Sequence, residues 1–212
     1  MSKHIKKLIA EGENQHLDFK FEISDARKIA RTFSAFANTD GGKLLVGVKD
    51  NGNIAGIRTD EEAYMVESAA DLFCRPRVSY SIKPWVIDGK TILEVEIPAS
   101  KLRPHLAPWK DDLWKAFVRV NDENFLANSV QVEVWKKDRE EKGSKLSYNQ
   151  TEEKLLAYLR EHNDITIREF CKLCNISYPK ARRILANLVA FGVISINFRK
   201  ELTATYRLRQ DI

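Results

Sequence analysis

Apolar and polar positions alternate along the chain in segments of helical and strand period. Ile29, Phe33, Phe36 and Ala37 share one helical face, preceded by Ser24 as the expected N-cap with Asp25 in the first turn. That helix must stop at Asn38-Thr39-Asp40-Gly41-Gly42, where paired glycines admit positive φ. Lys43 to Val48 then reads as a strand, Asp50-Asn51-Gly52-Asn53 as a hairpin turn, and Ile54 to Ile57 as the returning strand. Asp60 is the expected cap of a second helix reaching Cys74, with Ala63, Val66, Ala70 and Phe73 at helical spacing. Further strands are expected from Val78 to Ile87 and from Thr91 to Ile97 around an Asp88-Gly89 turn, and from Ala116 to Val120 after a connector holding Pro104 and Pro108. This mixture predicts an α+β domain with a mixed or largely antiparallel sheet.

The last third has a different rhythm. Ser147 or Asn149 opens a helix with Leu155, Leu156 and Leu159 on one face, and Asn163-Asp164 breaks it. Ile165-Thr166 is a short edge-strand stub, and Thr166 with Glu169 forms a capping box for a second helix through Cys174. Ser177 caps a third helix with Pro179 in its first turn and Ala181, Ile184, Leu185, Leu188 and Val189 on its apolar stripe. Phe191-Gly192 ends it, and the strands Val193 to Asn197 and Thr203 to Leu208 pair across a tip at Arg199-Lys200. Three helices followed by a basic-tipped hairpin is the order of a winged helix-turn-helix. The expected layout is an α+β domain over residues 1–135, a linker over 136–145 where mixed charges run into Gly143-Ser144, and a small winged-helix domain over 146–212.

Charge sharpens this division. Residues 1–143 carry 23 Lys+Arg against 23 Asp+Glu, and residues 144–212 carry 12 against 7, so the whole net +5 lies in the C-terminal part. A positive excess confined to one module is the footprint of a surface that meets phosphate. Ser177, Tyr178, Lys180, Arg182, Arg183 and Asn187 on the third helix, with Arg199 and Lys200 at the hairpin tip, are the candidate DNA contacts. The fold also serves as a protein-binding module, in which case these side chains are ordinary solvated surface. A hydrophobic fraction of 43% and a charged fraction of 31% fit a globular protein, and no apolar run approaches the ~20 residues a bilayer span needs. The basic N-terminus leads only into Leu8-Ile9-Ala10, so secretion is not expected and a cytoplasmic setting is. Three cysteines agree with reduced thiols; Cys171 and Cys174 form a Cys-x-x-Cys pair, but with no second pair nearby they read as core packing.

Two stretches, Gly12 to Lys20 and Ser34 to Gly52 with its Ala-Phe-Ala-Asn-Thr-Asp-Gly-Gly core, resemble the Schlafen AlbA-like domain, also called the divergent AAA domain. Phe117 to Val120, followed by Asn124 and Ala127, is similar to that domain's closing strand, so the resemblance covers roughly residues 5 to 130. The resemblance implies DNA binding by the first domain, and a following winged helix is frequent in bacterial transcriptional regulators of this kind. In animal Schlafen proteins the same fold is a metal-dependent endoribonuclease on structured RNA, whose three acids fall at the positions of Glu13, Asp18 and Asp50. Clustered carboxylates can hold Mg or Mn beside a scissile phosphate. Asp18 departs from the usual Glu, which shortens its reach by one methylene, and turn and cap chemistry is the reading of these acids that the residues favour. Gly89-Lys90-Thr91 imitates the end of a Walker A loop, but Pro84 stands where its upstream glycine belongs, so ATP is not expected. The leading expectation is a DNA-binding regulator without a cofactor, whose first domain adds contacts, senses a ligand or forms a homo-oligomer. The alternative is a metal-dependent nuclease using Glu13, Asp18 and Asp50.

Overall fold

The computed structural model describes residues 2–110, 113–139, 149–199 and 203–209, which fall into two units, 1–126 and 127–212. In the first unit, α1 (Ser2–Glu11) leads into β1 (Leu17–Lys20), α2 (Ala26–Asn38), β2 (Gly42–Val46) and α3 (Glu61–Asp71). β3 (Ser81–Ile87), β4 (Lys90–Ile97), β5 (Leu106–Pro108), β6 (Trp114–Val120) and β7 (Glu123–Leu126) complete it. Four strands form a mixed sheet in the order β1-β2-β4-β3, with β1 and β2 parallel and the other pairs antiparallel. The strands β5, β6 and β7 form a separate antiparallel sheet. The expected α+β class is what the chain adopts.

Period-two alternation distributes the mixed sheet's side chains between two cores. Leu44 and Val46 of β2 join Phe33, Phe36, Val66 and Val95 on the face covered by α2 and α3. Leu45, one residue out of phase, joins Ile5 of α1, Phe19, Ile87 and Ile92 in the core on the other face. Glu94 pins α1 to that face by accepting from Lys43 at 2.7 Å, from Trp85 Nε1 at 2.8 Å and by pairing with His4 at 3.0 Å. Burial alone would raise this carboxyl; the three partners outweigh it and hold it at about 2.

Several local expectations shift when the chain is folded. Asp25, not Ser24, caps α2, accepting from Arg27 N at 2.8 Å. Asp60 makes no side-chain cap bond; Glu62 instead accepts from the backbone of Arg58 and Thr59 at 3.1 and 3.0 Å, which holds its pKa low despite partial burial. Ile54 to Ile57 is not a strand. Only Val48 and Ile54 form a bridge: Ala55 N and Gly56 N both donate to Gly47 O at 2.9 Å and Ile57 N turns to Thr91 O at 2.8 Å, so no ladder continues. The Asp88-Gly89 turn is as expected, with positive φ at both residues, and β3 starts three residues later than Val78.

The second unit contains α4 (Ser129–Arg139), α5 (Gln150–Glu161), β8 (Ile165–Thr166), α6 (Ile167–Cys174), α7 (Tyr178–Ala190), β9 (Ile194–Asn197) and β10 (Thr205–Leu208). The boundary lies at Leu126/Ala127 and not at residue 135, because Val130 and Val134 of α4 are buried in the same core as Leu155, Phe170, Leu185 and Tyr206. Residues 136–139 of the expected linker finish α4, and the rest of that linker lies outside the described residues. The new boundary leaves the charge asymmetry intact, at 19 Lys+Arg against 19 Asp+Glu in 1–126 and 16 against 11 in 127–212. Asn149 caps α5, the Thr166–Glu169 capping box is complete, and Asn175 ends α6 in the left-handed region at φ 50°. β10 is the centre of a three-stranded sheet in the order β8-β10-β9.

Candidate nucleic-acid interface

The Ala-Phe-Ala-Asn-Thr-Asp-Gly-Gly segment closes α2 and fastens it to the second sheet. Asn38 is buried, and its Oδ1 accepts from His105 N at 2.7 Å while Nδ2 donates to His105 O at 2.8 Å and Phe117 O at 3.0 Å. Ser34 Oγ donates to His105 O at 2.7 Å and accepts from Phe117 N at 3.1 Å. Two side chains one helical turn apart thus replace the ladder bonds that β5 and β6 would otherwise leave open. Gly41 and Gly42 follow for want of space: a Cβ on Gly41 would lie 2.7 Å from Ala99 N, and one on Gly42 would lie 2.4 Å from the Phe36 ring. The motif is a structural clasp. His105 is buried within it, its Nδ1 donating to Pro76 O at 2.8 Å and its Nε2 accepting from Ser100 Oγ at 2.7 Å. Burial pushes its pKa down, so it rests as neutral imidazole.

Of the three acids, two come together. Glu13 accepts from Phe19 N at 2.9 Å, and burial, with Asp18 beside it, raises its pKa. Asp18 is 3% exposed and already neutralised: Arg119 Nη2 donates to Oδ1 at 3.2 Å, and Lys20 Nζ lies 2.8 Å from Oδ2 in an ion pair without hydrogen-bond geometry. Arg119 also donates to the carbonyls of Asn14 and Leu17 at 3.2 and 3.1 Å, tying β6 to the start of β1. Asp50 stands exposed in the turn closed by Gly52 N to Lys49 O at 2.8 Å. Among the described residues no group of three or more His, Cys, Asp or Glu converges as a metal site; Glu13 and Asp18 of the nuclease alternative are neighbours and Asp50 is not part of such a group. A divalent ion at Asp18 would have to displace Lys20. Gly89-Lys90-Thr91 lies in the β3–β4 hairpin, with Lys90 Nζ donating to Ile54 O at 2.9 Å.

The basic residues of α7 separate into two groups. Lys180 and Arg183 are exposed on the face that the apolar stripe leaves open, and neither has an ion-pair partner among the described residues. Tyr178 and Arg182 instead face α4. Tyr178 Oη lies 3.0 Å from Ser129 Oγ, and Arg182 Nε lies 3.5 Å from Glu133 Oε2. Asn187 is half-buried, with its Oδ1 out of contact with any donor among the described residues. Ser177 occupies the N-cap position without a side-chain cap bond, which leaves its hydroxyl and the first-turn N–H groups free of each other. Arg199 is held by Asp164, which also accepts from Thr205 Oγ1 at 3.0 Å; Lys200 lies outside the described residues. The role of α4 is the piece that sequence reasoning missed. Its signal was Asn128, whose Oδ1 accepts from Gln131 N at 2.9 Å, followed by Val130 and Val134 at helical spacing.

The cysteines do no visible chemistry. Cys171 and Cys174 pack against the second core, and burial pushes the Cys174 thiol up; Cys74 is buried in the first core and pushed up to about 12. No helix is long and apolar enough to cross a membrane among the described residues.

No curated protein matches the chain. Among the solved structures similar to it are these two. The DIP2311 protein of Corynebacterium diphtheriae is 20% identical, with a TM-score of 0.49, over 67% of this chain and 32% of its own length, so the chain spans about a third of that relative. The N-terminal domain of a DNA helicase RecG-related protein of Nitrosomonas europaea is 22% identical, with a TM-score of 0.40, over 54% of this chain and 86% of its own length. The Schlafen, AlbA_2 family model matches residues 13–128, the stretch that holds the acids, the clasp at Asn38 and the closing strand with Arg119. That match takes in more than half of the 212 residues, and with it the chain belongs to the Schlafen AlbA_2 family, one related to nucleic acid.

Proposed function

We propose that the protein is a DNA-binding transcriptional regulator, in which α5 to β10 form a winged helix-turn-helix and α7 enters the major groove. The observation that carries this reading is the exposed pair Lys180 and Arg183 at the start of α7, in the unit that holds the entire positive excess. An arginine one turn into a recognition helix can meet a guanine edge with both guanidinium nitrogens, and a lysine beside it can meet phosphate. Arg182, paired with Glu133, is a support for α7 and not a reader. The first unit would contribute further nucleic-acid contact, ligand sensing or dimerisation.

The test is fluorescence anisotropy of the full chain with labelled duplex DNA over a range of salt. Affinity should fall with a log–log slope near −0.9 per phosphate neutralised. Lys180→Ala should flatten that slope by roughly one such unit. Arg183→Ala should cost about 1–3 kcal/mol of discrimination between a preferred site and a scrambled one. Arg182→Ala removes a half-exposed pair and should change affinity by less than about 1 kcal/mol. Absence of duplex binding at low salt, or equal losses from Arg182→Ala and Arg183→Ala, would overturn the proposal. The nuclease alternative keeps one observation, the Glu13–Asp18 contact, and is tested separately through Asp50.

A further inference from the structure

On the first unit, arginines and aromatic rings are layered on one another along α2 and the neighbouring edge of the β5–β6–β7 sheet. The Arg75 guanidinium carbon lies 3.8 Å above the centre of the Trp114 ring. Arg31 lies 4.8 Å above Trp109, and Arg27 lies 5.4 Å above Phe73. These pairs form one surface. Arg27 and Arg31 are one helical turn apart on α2, and Phe73 and Arg75 are two residues apart in the chain. Arg75 exchanges backbone bonds with Leu106 at 2.9 and 2.7 Å, and Pro108 on the same strand stands opposite Trp114. Arg31 Nε donates to Pro108 O at 3.0 Å, closing the circuit.

The layering has a consequence for what the surface presents. Held 3.8 Å over the Trp114 ring, the Arg75 guanidinium is placed by the indole while its residue stays exposed; Arg27 is exposed as well, and Arg31 and Trp109 are half-buried. What the surface offers is thus planar cations held over rings, Arg75 over Trp114 and Arg31 over Trp109, with Lys110 Nζ also 5.7 Å from the centre of the Trp109 ring. The exposed Leu72 and Leu113, at 66% and 53%, border it with apolar surface. Flat cations beside aromatic edges match an unpaired base, whose π-face stacks on the plate while its phosphate meets the charge. A base pair within a duplex has no free face to offer.

We propose that this surface binds single-stranded nucleic acid by stacking bases on the Arg75–Trp114 and Arg31–Trp109 pairs, independently of α7. It extends the nucleic-acid reading to a second surface and to a different strand state.

The experiment uses the full chain with labelled oligothymidylate and oligouridylate, read by anisotropy and by quenching of tryptophan emission. Arg75→Ala and Trp114→Leu should each weaken single-strand binding by roughly tenfold, the loss of a stacked base, with duplex binding unchanged. Arg183→Ala should do the reverse. Arg75→Lys decides between plate and charge: stacking requires that it weaken binding nearly as much as Arg75→Ala, and full retention of affinity overturns the proposal. Arg75 is exposed, so its variants stay informative if Trp114→Leu fails to fold. Single-strand binding that survives the Arg75 changes, or that falls equally with Arg183→Ala, also overturns it. So does a dimer of this chain that Arg75→Ala dissolves, which would make the surface a protein interface. Loss of duplex binding alone sinks the α7 reading and leaves this one standing.

Discussion

Replacing Asn38 by Ala tests whether the family's most recognisable motif is a clasp or a contact surface. In the folded chain Asn38 satisfies His105 N–H and Phe117 C=O, both in a region closed to water, and shares His105 C=O with Ser34. Alanine leaves His105 O still bonded to Ser34 Oγ, but takes away the acceptor for His105 N–H and the Asn38 donor to Phe117 O. Each buried polar group left unpaired costs about 1–3 kcal/mol. Two such groups, with the small void left by the amide, give a loss of about 3–6 kcal/mol. For a unit of this size that corresponds to a fall in Tm of roughly 10–20 °C. Ser34→Ala removes the hydroxyl that serves Phe117 N–H and one of two donors to His105 O, and should cost less, about 1–3 kcal/mol. Thermal and urea unfolding followed by circular dichroism measure both. If Asn38→Ala melts within about 2 °C of the parent but loses nucleic-acid binding, the clasp argument is wrong and Asn38 is a contact residue.

Three further outcomes follow from the geometry. His105 has its folded pKa below 6.5 while the unfolded chain returns to 6.5, so the unfolded state takes up the proton first; stability is complete above pH 6.5 and declines below it by at most about 1.4 kcal/mol per pH unit. Urea titrations at pH 7.5 and 5.5 should show that decline in the parent and not in His105→Gln, and the difference between the two also removes the opposite contribution of Glu13, whose pKa is raised. A fragment beginning at Ala127 should fold and bind duplex DNA, whereas one beginning at Ser144 lacks buried Val130 and Val134 and should lose at least about 3 kcal/mol; equal melting of the two would refute the place given to α4. Asp50→Asn should leave folding and DNA binding unchanged, because Asn serves that turn position as well as Asp. A metal-dependent cleavage of structured RNA by the parent, abolished by this change, would replace the regulator by the nuclease.

Local chemistry made much of the second unit legible before folding. Thr166 with Glu169, Asn149 and Pro179 each act within one turn of chain, so their effect is written in adjacent residues, and α5 to β10 appear where those signals place them. The Asp88-Gly89 hairpin is legible for the same reason. Tertiary structure alone decided what each exposed-looking polar residue is for. Arg119 neutralises Asp18 across 101 positions, and Asn38 serves His105 and Phe117 across 67 and 79. Arg182 is taken by Glu133 while Arg183, its neighbour, is left open. Periodicity tells which residues are apolar enough to be inside, but a polar face becomes a support or a contact surface only when a distant segment packs on it. That depends on pairings far apart in sequence, which leave no local trace; α4 lying on one side of α7, and arginines layered on Trp109 and Trp114, could be read only once the chain had folded.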